Sequence, residues 1–581
     1  MDAYSELFYR LREAVKSSSH SIIEQILGEE IFRSTLKSKD SHSGENRATL
    51  VNIAVSRNDE ETVNRLLDYG VTINIDENRC QVIPPLVYAV VLGHERIAEI
   101  LATRVKEHVD QRTSGEGYYK LENGDTALHA ASRCGLDRLA AILLKNGATI
   151  DAPNSKSETA LHLAIGAMIK AEARLAMVRC LLDHAARIDI GHKPALLLAI
   201  AQNQLDVAHL IIDQREDALE KKDSLGSGAM HYALKGCPAN IEFMTMLVNK
   251  GIQVDEPNLA GKRPLHVAVR YRNAVMTKFL LDHGADIDAT TESKETPLYF
   301  AALNGDMSMV KQLLDAGANI HVTTNREQTA FHAACQFGSV EMVCEMLKFG
   351  AKINGVSTYT QTPLYFACSK QSNDIVKTLL ESGANPNAMT DIPYDSPLDF
   401  ACRRGFEDTV WLLLKFGVQM KRPVYAYGIG IPFDKNITIM LIKHALLAKH
   451  QVMCEQFFTV YRNDPHFAKC QKELEMMKAT EFYPNLTFFK MLVMQQEELM
   501  WMMRNVKVRE AFEANFKEEQ FPMYALYFTD RFADVKQMLK ERDLAEEILS
   551  SVFSTILPVE TINKVLDYVS YKDIRFLAKF A

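Results

Sequence analysis

The chain has 581 residues, of which 47% are hydrophobic and 24% charged, and its formal net charge is −8. This length exceeds what one hydrophobic core organises, so we expect several domains or a repeat array. The mild negative charge argues against nucleic acid as the main partner. A charged N-terminal segment and the absence of an apolar run of about 18 residues argue against a secretory signal and a membrane span. We therefore expect a cytoplasmic protein, with the nucleus as a second location.

Residues 1–46 are predicted to form an N-terminal helical cap followed by a polar loop. The apolar positions have the spacing of two helices joined by a turn, as in an atypical repeat that closes an array. These positions are Leu11, Ala14, Ile22, Ile26 and Leu27. The stretch KSKDSHSGENR that follows is typical of a loop.

Residues 47–420 carry an internal repeat. Pro264, Pro297, Ala330, Pro363 and Pro397 occupy equivalent positions, 33, 33, 33 and 34 residues apart. Each belongs to one of a set of related segments, which read DTALHAA (125–131), ETALHLA (158–164), KRPLHVA (262–268), ETPLYFA (295–301), QTAFHAA (328–334), QTPLYFA (361–367) and DSPLDFA (395–401). Such a fixed period predicts a repeat architecture.

Each repeat is predicted to be a pair of helices. The Thr before the first helix is expected to cap it by accepting a hydrogen bond from a free backbone N–H, and Pro fits the first turn. Gly284, Gly317, Gly350 and Gly383 follow the second helix of their repeats. We expect these glycines to adopt the left-handed conformation that reverses the chain.

These residues resemble the ankyrin repeat, whose signature is T-P-L-H-x-A with a period of about 33 residues. Weaker copies at PPLVYAV, KPALLLAI, GAMHYAL and RATLVNIAV bring the array to about eleven repeats. The resemblance implies an all-α solenoid of helix-turn-helix repeats with β-hairpin loops. It also implies a concave face that binds proteins.

Histidines and cysteines recur at equivalent positions of the repeats. The histidines lie about one period apart, so they are not expected to converge on a metal or an active site. We interpret them as structural; they are His129, His162, His231, His266 and His332. Cys335, Cys368 and Cys402 likewise follow matching segments and are interpreted as small buried hydrophobes.

Residues just after the T-P-L-H segments are the candidates for target binding. In ankyrin repeats this part of the first helix usually lines the concave side, and Arg and Tyr are enriched in binding hot spots. For any one of them, solvated surface is the alternative interpretation. The candidates are Arg133, Arg270, Tyr271, Arg272, Asn304, Phe337, Arg403 and Arg404.

The composition changes near residue 430. All 27 glycines lie at or before Gly430, while the 151 residues that follow hold 11 of the 24 methionines. Without glycine turns this part cannot continue the array, so we predict a linker at 421–433 and a separate α-helical domain at 434–581. The segment LTFFKMLVMQQEELMWMMR (486–504) is predicted to be one of its helices. Its methionines are interpreted as domain core, with an adaptable partner-binding face as the alternative.

Residues 556–578 carry a second motif. Pro558 suits the first turn of a helix, and Ile562, Val565, Leu566 and Val569 form one apolar stripe. Ser570 and Asp573 then form a capping signal for a second helix, which carries Ile574.

The order LPVETINKVLDYVSYKDIRFL resembles the opening of an F-box. An F-box would continue with another helix where this chain ends, and this truncated form after ankyrin repeats resembles the PRANC family. The resemblance implies docking on a Skp-type adaptor of a cullin-RING ubiquitin ligase. It assigns the docking to Leu557, Pro558, Ile562, Val565, Leu566, Val569 and Ile574.

The expected function is that of a substrate receptor, which holds a target on the repeats and recruits the ligase through the terminal motif. The alternative is an ankyrin protein that sequesters a signalling or transcription factor without a ligase. A SOCS-type box is disfavoured because EEILSSVFSTILP lacks the cysteine expected before Leu-Pro. No phosphate-binding loop, zinc-protease motif or nucleophile elbow is present. We therefore expect no catalytic residue, no metal and no cofactor.

Overall fold

The computed structural model describes residues 3–29, 44–71, 83–113, 121–191, 193–235, 240–391, 396–418, 434–447, 464–484, 486–494 and 496–553. The chain divides into two compact units, Met1–Asn325 and Arg326–Ala581. Each unit is built from helices that pack in pairs. No helix in the described ranges combines the length and the apolar character needed to cross a membrane.

The first unit is a series of helix pairs connected by turns. Its described helices are α1 Ala3–Lys16, α2 His20–Gly28, α3 Gly44–Ser56, α4 Glu60–Asp68, α5 Pro85–Val91, α6 Glu95–Arg104, α7 Ala127–Cys134, α8 Asp137–Lys145, α9 Ala160–Gly166, α10 Ala171–Asp183, α11 Ala195–Ala201, α12 Leu205–Gln214, α13 Ala229–Ala233, α14 Ile241–Asn249, α15 Pro264–Arg270, α16 Ala274–Asp282, α17 Pro297–Leu303 and α18 Met307–Asp315. Two short 3-10 helices span Lys106–His108 and Glu216–Glu220.

The second unit continues with three helix pairs and then changes character. Its described helices are α19 Ala330–Phe337, α20 Val340–Lys348, α21 Pro363–Ser369, α22 Asn373–Glu381, α23 Pro397–Arg404, α24 Glu407–Lys415, α25 Lys435–Leu447, α26 Pro465–Ala479, α27 Phe488–Val493, α28 Gln496–Met503, α29 Val506–Asn515 and α30 Ala525–Phe553. An antiparallel pair, β1 Glu481–Tyr483 and β2 Leu486–Thr487, precedes α27. Short 3-10 helices span Thr358–Thr360 and Glu518–Gln520.

The repeat chemistry predicted from the sequence is confirmed. The Thr296 and Thr362 hydroxyls accept hydrogen bonds from the backbone N–H groups three residues later, at 3.2 and 3.4 Å. All four glycines predicted to reverse the chain have positive φ, between 86° and 96°. At these positions an L side chain would be strained, so glycine ends each repeat sharply.

The loops between repeats differ from the predicted β-hairpins. Within the described part of the chain, strands occur only at β1 and β2. The inter-repeat loops are turns that are joined to the next loop by backbone hydrogen bonds, such as that from Leu259 N to Leu225 O at 2.9 Å. These bonds hold the loops in register without forming a ladder long enough to be a strand.

The N-terminal pair α1 and α2 buries Leu11, Ala14, Ile26 and Leu27 as predicted. Ile22 is an exception: it is exposed, and Ile23 takes the buried position instead. Ile23, Ile26 and Leu27 are spaced i, i+3 and i+4, which is one face of a helix, whereas Ile22 lies off that face.

An insertion lengthens the repeat that begins at α9. Its extra residues form a loop after Gly166 and extend α10 to 13 residues. Arg174 is buried beneath this loop and donates to the carbonyls of Ala167 and Ile169, at 3.3 and 3.1 Å, and to the side chain of Gln204. The buried Arg174 therefore supplies hydrogen-bond donors to the backbone carbonyls of the inserted loop.

The C-terminal helices are organised differently from the prediction for residues 486–504. The structure divides this segment into β2, α27 and α28, because Thr487 caps a new helix at Lys490 N (3.1 Å) and Met494 adopts an extended conformation. Met491 and Met503 are buried, as the interpretation of these methionines as core predicts, whereas Met494, Met500 and Met502 are half-buried. Phenylalanines from several elements pack around Phe488, whose ring centroid lies 5.2 Å from that of Phe521.

Within the second unit, α30 packs against the last helix pair. The Lys415 ammonium of α24 lies 2.7 and 2.5 Å from carboxylate oxygens of Asp530 and Asp534 of α30. The rings of Trp411 and Tyr527 meet edge to face with centroids 4.4 Å apart. The last repeat is therefore covered by a helix that makes both polar and aromatic contacts.

Candidate functional site

The buried histidines connect each repeat to the next. His266 Nδ1 accepts from the N–H of Arg263 at 3.1 Å, so its Nε2 carries the proton and donates to the carbonyl of Glu295 at 3.1 Å. His332 does the same with Thr329 N–H and the carbonyl of Gly355. Burial lowers the pKa of both histidines to about 4, so they are neutral at pH 7.

The same tether recurs in the other repeats that carry this histidine. Nε2 of His129, His162 and His231 lies 3.2, 2.7 and 2.9 Å from a carbonyl of the following repeat. No group of His, Cys, Asp or Glu in the described residues could hold a metal ion. The geometry confirms the structural interpretation of these histidines.

The repeat cysteines are buried as predicted. Cys335, Cys368 and Cys402 have almost no exposed surface and form no disulfide. Burial raises the pKa of each thiol, which disfavours the reactive thiolate. They fill space between helices.

Of the predicted target-binding residues in the first unit, four lie together. The guanidinium of Arg272 donates to the carbonyl of Asn304 at 2.6 Å, and the Asn304 amide donates to the carbonyl of Arg270 at 3.4 Å. Tyr271 is 53% exposed beside them. The ends of α15 and α17 therefore present one surface with two arginines and a tyrosine.

Arg133 has a different environment. Its guanidinium lies 2.8 Å from the carboxylate of Asp125, whose side chain is completely buried. Asp125 also accepts from Asn154 and from the backbone N–H of Glu122. Arg133 neutralises a buried charge, which weakens its candidacy as a contact for a partner.

In the second unit, the candidates lie beside aromatic rings. Phe337 is 44% exposed, and the Lys370 ammonium lies 4.9 Å from its ring centroid. The guanidinium carbons of Arg403 and Arg404 lie 5.9 and 5.5 Å from the ring centroid of Phe400. Cation–π contacts hold such long side chains in place, which lowers the entropy lost on binding.

Sequence reasoning missed three lysines of the first unit, which join the predicted Arg270 in a group here named the basic cluster: Lys193, Lys235, Lys262 and Arg270. The ammonium groups of Lys193 and Lys235 lie 5.1 and 4.2 Å from the ring centroid of the buried Tyr232. That of Lys262 lies 5.9 Å from the ring centroid of Phe300. The available signal was a basic residue just before or just after the first helix of successive repeats.

The residues predicted to dock on an adaptor lie outside the described residues. This holds for Leu557, Pro558, Ile562, Val565, Leu566, Val569 and Ile574. The described structure reaches Phe553, the last residue of α30. Their role therefore stays a prediction from the sequence.

Comparison with known proteins identifies the repeats. The chain matches the ankyrin-repeat family in three copies, over residues 105–192, 196–291 and 292–390. It is 26% identical over 171 residues to Rabankyrin-5 of Mus musculus and 24% identical over 168 residues to Rabankyrin-5 of Homo sapiens. Each alignment covers 29% of this chain and 14% of the relative, so the chain spans only a small part of these relatives' length. The chain thus contains ankyrin repeats in an all-α solenoid fold, and these repeats imply a role in protein–protein interaction.

Proposed function

We propose that this protein is a non-enzymatic adaptor that brings a target protein to a ubiquitin ligase. The repeats hold the target, and the terminal motif at 556–578 docks on a Skp-type adaptor of a cullin-RING ligase. The observation that supports target binding by the repeats is the exposed surface of Arg270, Tyr271 and Arg272 on ankyrin repeats. The proposed docking on a Skp-type adaptor rests on the F-box-like order of residues in the sequence.

The proposed mechanism is proximity. The receptor performs no chemistry; tethering raises the effective concentration of a target lysine near the charged ubiquitin carrier. Both flexible and stiff connections raise the effective concentration, and a stiff connection narrows the region that the ubiquitin carrier can reach. The contacts of Lys415 and Trp411 with α30 supply such a connection between the last repeat and the helix that precedes the motif.

Co-purification tests the docking. The intact chain should retain a Skp-type adaptor, and a version that ends before Ile556 should lose it. A triple variant, Leu557→Ala, Pro558→Ala and Ile562→Ala, should lose it as well, because it removes the Leu-Pro element and one residue of the apolar stripe.

The matched control changes three residues that lie off the stripe in the sequence pattern, Asn563→Ala, Lys564→Ala and Asp567→Ala. It should retain the adaptor. Equal retention by all versions, or retention by none, contradicts docking through this motif. A target that still binds in that case would favour the sequestering alternative.

A further inference from the structure

The basic cluster collects four positive charges that pair with no carboxylate of the described residues. Lys193, Lys235, Lys262 and Arg270 form no ion pair with any carboxylate among the residues that the structure describes. Other arginines of the same unit are paired, as in Arg263 with Asp255 at 2.6 Å and Arg187 with Asp189 at 3.2 Å. Since the whole chain carries a net charge of −8, unpaired cations in one place are unexpected.

Asp223, a carboxylate whose charge acts on Lys235, is already occupied. The Asp223 carboxylate accepts from Leu225 N at 2.9 Å, from Ser227 N at 2.8 Å and from the Tyr232 hydroxyl at 2.8 Å. These bonds hold Asp223 within its own loop. It offsets part of the positive charge of Lys235 without forming an ion pair with it.

The cations repel one another. Desolvation lowers the pKa of Lys235, and the charges of Lys193, Arg270 and Lys262 lower it further, while Asp223 acts in the opposite direction. Like charges held together cost stability, and an anionic ligand placed among them would remove that cost.

The carbon-rich side chains at the centre of the cluster are buried. Leu198, Tyr232 and Val267 occupy the same position of three successive repeats, directly after the histidine position, and are 8%, 6% and 7% exposed. They belong to the core, so what this surface offers a ligand is its positive charge. A ligand that fits it carries several carboxylates.

We propose that the basic cluster binds an acidic segment of the target protein, with carboxylates on Lys193, Lys235, Lys262 and Arg270. This inference rests on the proposed function, because it names the class of target segment that the repeats hold. Protein is favoured over nucleic acid because the overall negative charge repels a long polyanion and because ankyrin repeats imply a role in protein–protein interaction.

Fluorescence anisotropy with the full chain tests the proposal. The probe is a labelled peptide of repeated Glu-Glu-Phe, compared with a peptide in which Gln replaces Glu and with an oligothymidylate of equal length. We expect the Glu peptide to bind more tightly than both, with an affinity that falls as salt rises from about 50 to about 300 mM. No binding of the Glu peptide, or tighter binding of the oligothymidylate, overturns the proposal.

A variant locates the site. Lys193→Gln, Lys235→Gln and Lys262→Gln together should weaken Glu-peptide binding about tenfold, since each exposed charge pair contributes modestly. The matched control is Lys145→Gln, Lys278→Gln and Lys311→Gln, which removes the same charge from exposed lysines on second helices of the same unit. An equal loss in both variants overturns the assignment to the cluster.

Circular dichroism should show that both triple variants remain as helical as the wild type. Adaptor co-purification through the terminal motif does not depend on these lysines. A failed peptide experiment with intact adaptor binding therefore rejects the acidic-segment inference alone. Loss of adaptor binding with intact peptide binding rejects ligase recruitment alone.

Discussion

Acidification should loosen the contact between repeats at His266. The neutral ring accepts from Arg263 N–H and donates to the carbonyl of Glu295, so a second ring proton would face an N–H group that can only donate. Burial lowers the pKa of His266 to about 4, and the positive charge of Arg263 lowers it as well. In the unfolded chain the same group titrates near pH 6.5.

The direction follows from proton linkage. Because the unfolded state binds the proton more tightly, the stabilisation by neutral His266 is complete above about pH 6.5 and is lost as pH falls toward 4. Between pH 7 and pH 5 the loss is about 2 kcal/mol for this one residue. The ring is almost completely buried, so solvent screening reduces this figure little.

Native-state hydrogen exchange measures the effect where it should occur. The free energy of opening of α15 and α17 is determined at pH 7 and pH 5 for the wild type and for His266→Gln, after correction for intrinsic exchange rates. At pH 7 the variant should have a lower free energy of opening than the wild type. Between pH 7 and pH 5 its free energy of opening should fall by about 2 kcal/mol less than that of the wild type. His321→Gln, which alters an exposed histidine of the same unit, serves as control and should behave like the wild type.

The reasoning would be refuted if wild type and His266→Gln lost equal opening free energy between the two pH values. Such a result would mean that His266 has a similar proton affinity in the folded and unfolded states.

Three further substitutions test other contacts. Lys294 has a φ of 58° at an exposed loop position, so Lys294→Gly should stabilise the first unit by about 0.5–1 kcal/mol in urea denaturation. The buried Tyr524 hydroxyl has no hydrogen-bond partner among the described residues. Tyr524→Phe should therefore raise the melting temperature and stabilise the second unit by about 1 kcal/mol. A loss of stability would show that the hydroxyl has a hydrogen-bond partner. Lys415→Met removes the ion pairs to Asp530 and Asp534, so it should increase proteolysis within α30 and cost about 1–2 kcal/mol, whereas unchanged proteolysis would show that the ion pairs do not hold the helix.

The repeat architecture could be predicted because its signals are local and recur. A Thr, a histidine and a closing glycine recur in several periods and identify the cap, the inter-repeat tether and the turn without knowledge of distant contacts. The exchange of Ile22 for Ile23 in the buried stripe was an error in the predicted pattern, because Ile23, Ile26 and Leu27 keep the i, i+3, i+4 spacing of one helix face and Ile22 does not.

The C-terminal helices were harder to predict because no period constrains them. The apolar pattern of residues 486–504 runs through the break at Met494, and only the Thr487 cap and the pairing of β1 with β2 divide it. Packing around Phe488 decides that arrangement, and a single sequence does not show which residues surround a ring.

The lysines of the basic cluster were missed because, here too, a single sequence does not show which residues surround a ring. The cluster also shows that the structural histidines matter to the binding site. His162 donates to the carbonyl of Lys193, and His231 donates to the carbonyl of Lys262, so two of the four cations belong to residues whose backbone is held by the preceding repeat. The sequence separates these lysines by two repeats; the stacking brings both to the rings on which the cluster forms. Because the histidine that joins two repeats also fixes the backbone of a lysine in the cluster, the stability of the repeats and the geometry of the proposed binding surface depend on the same hydrogen bonds.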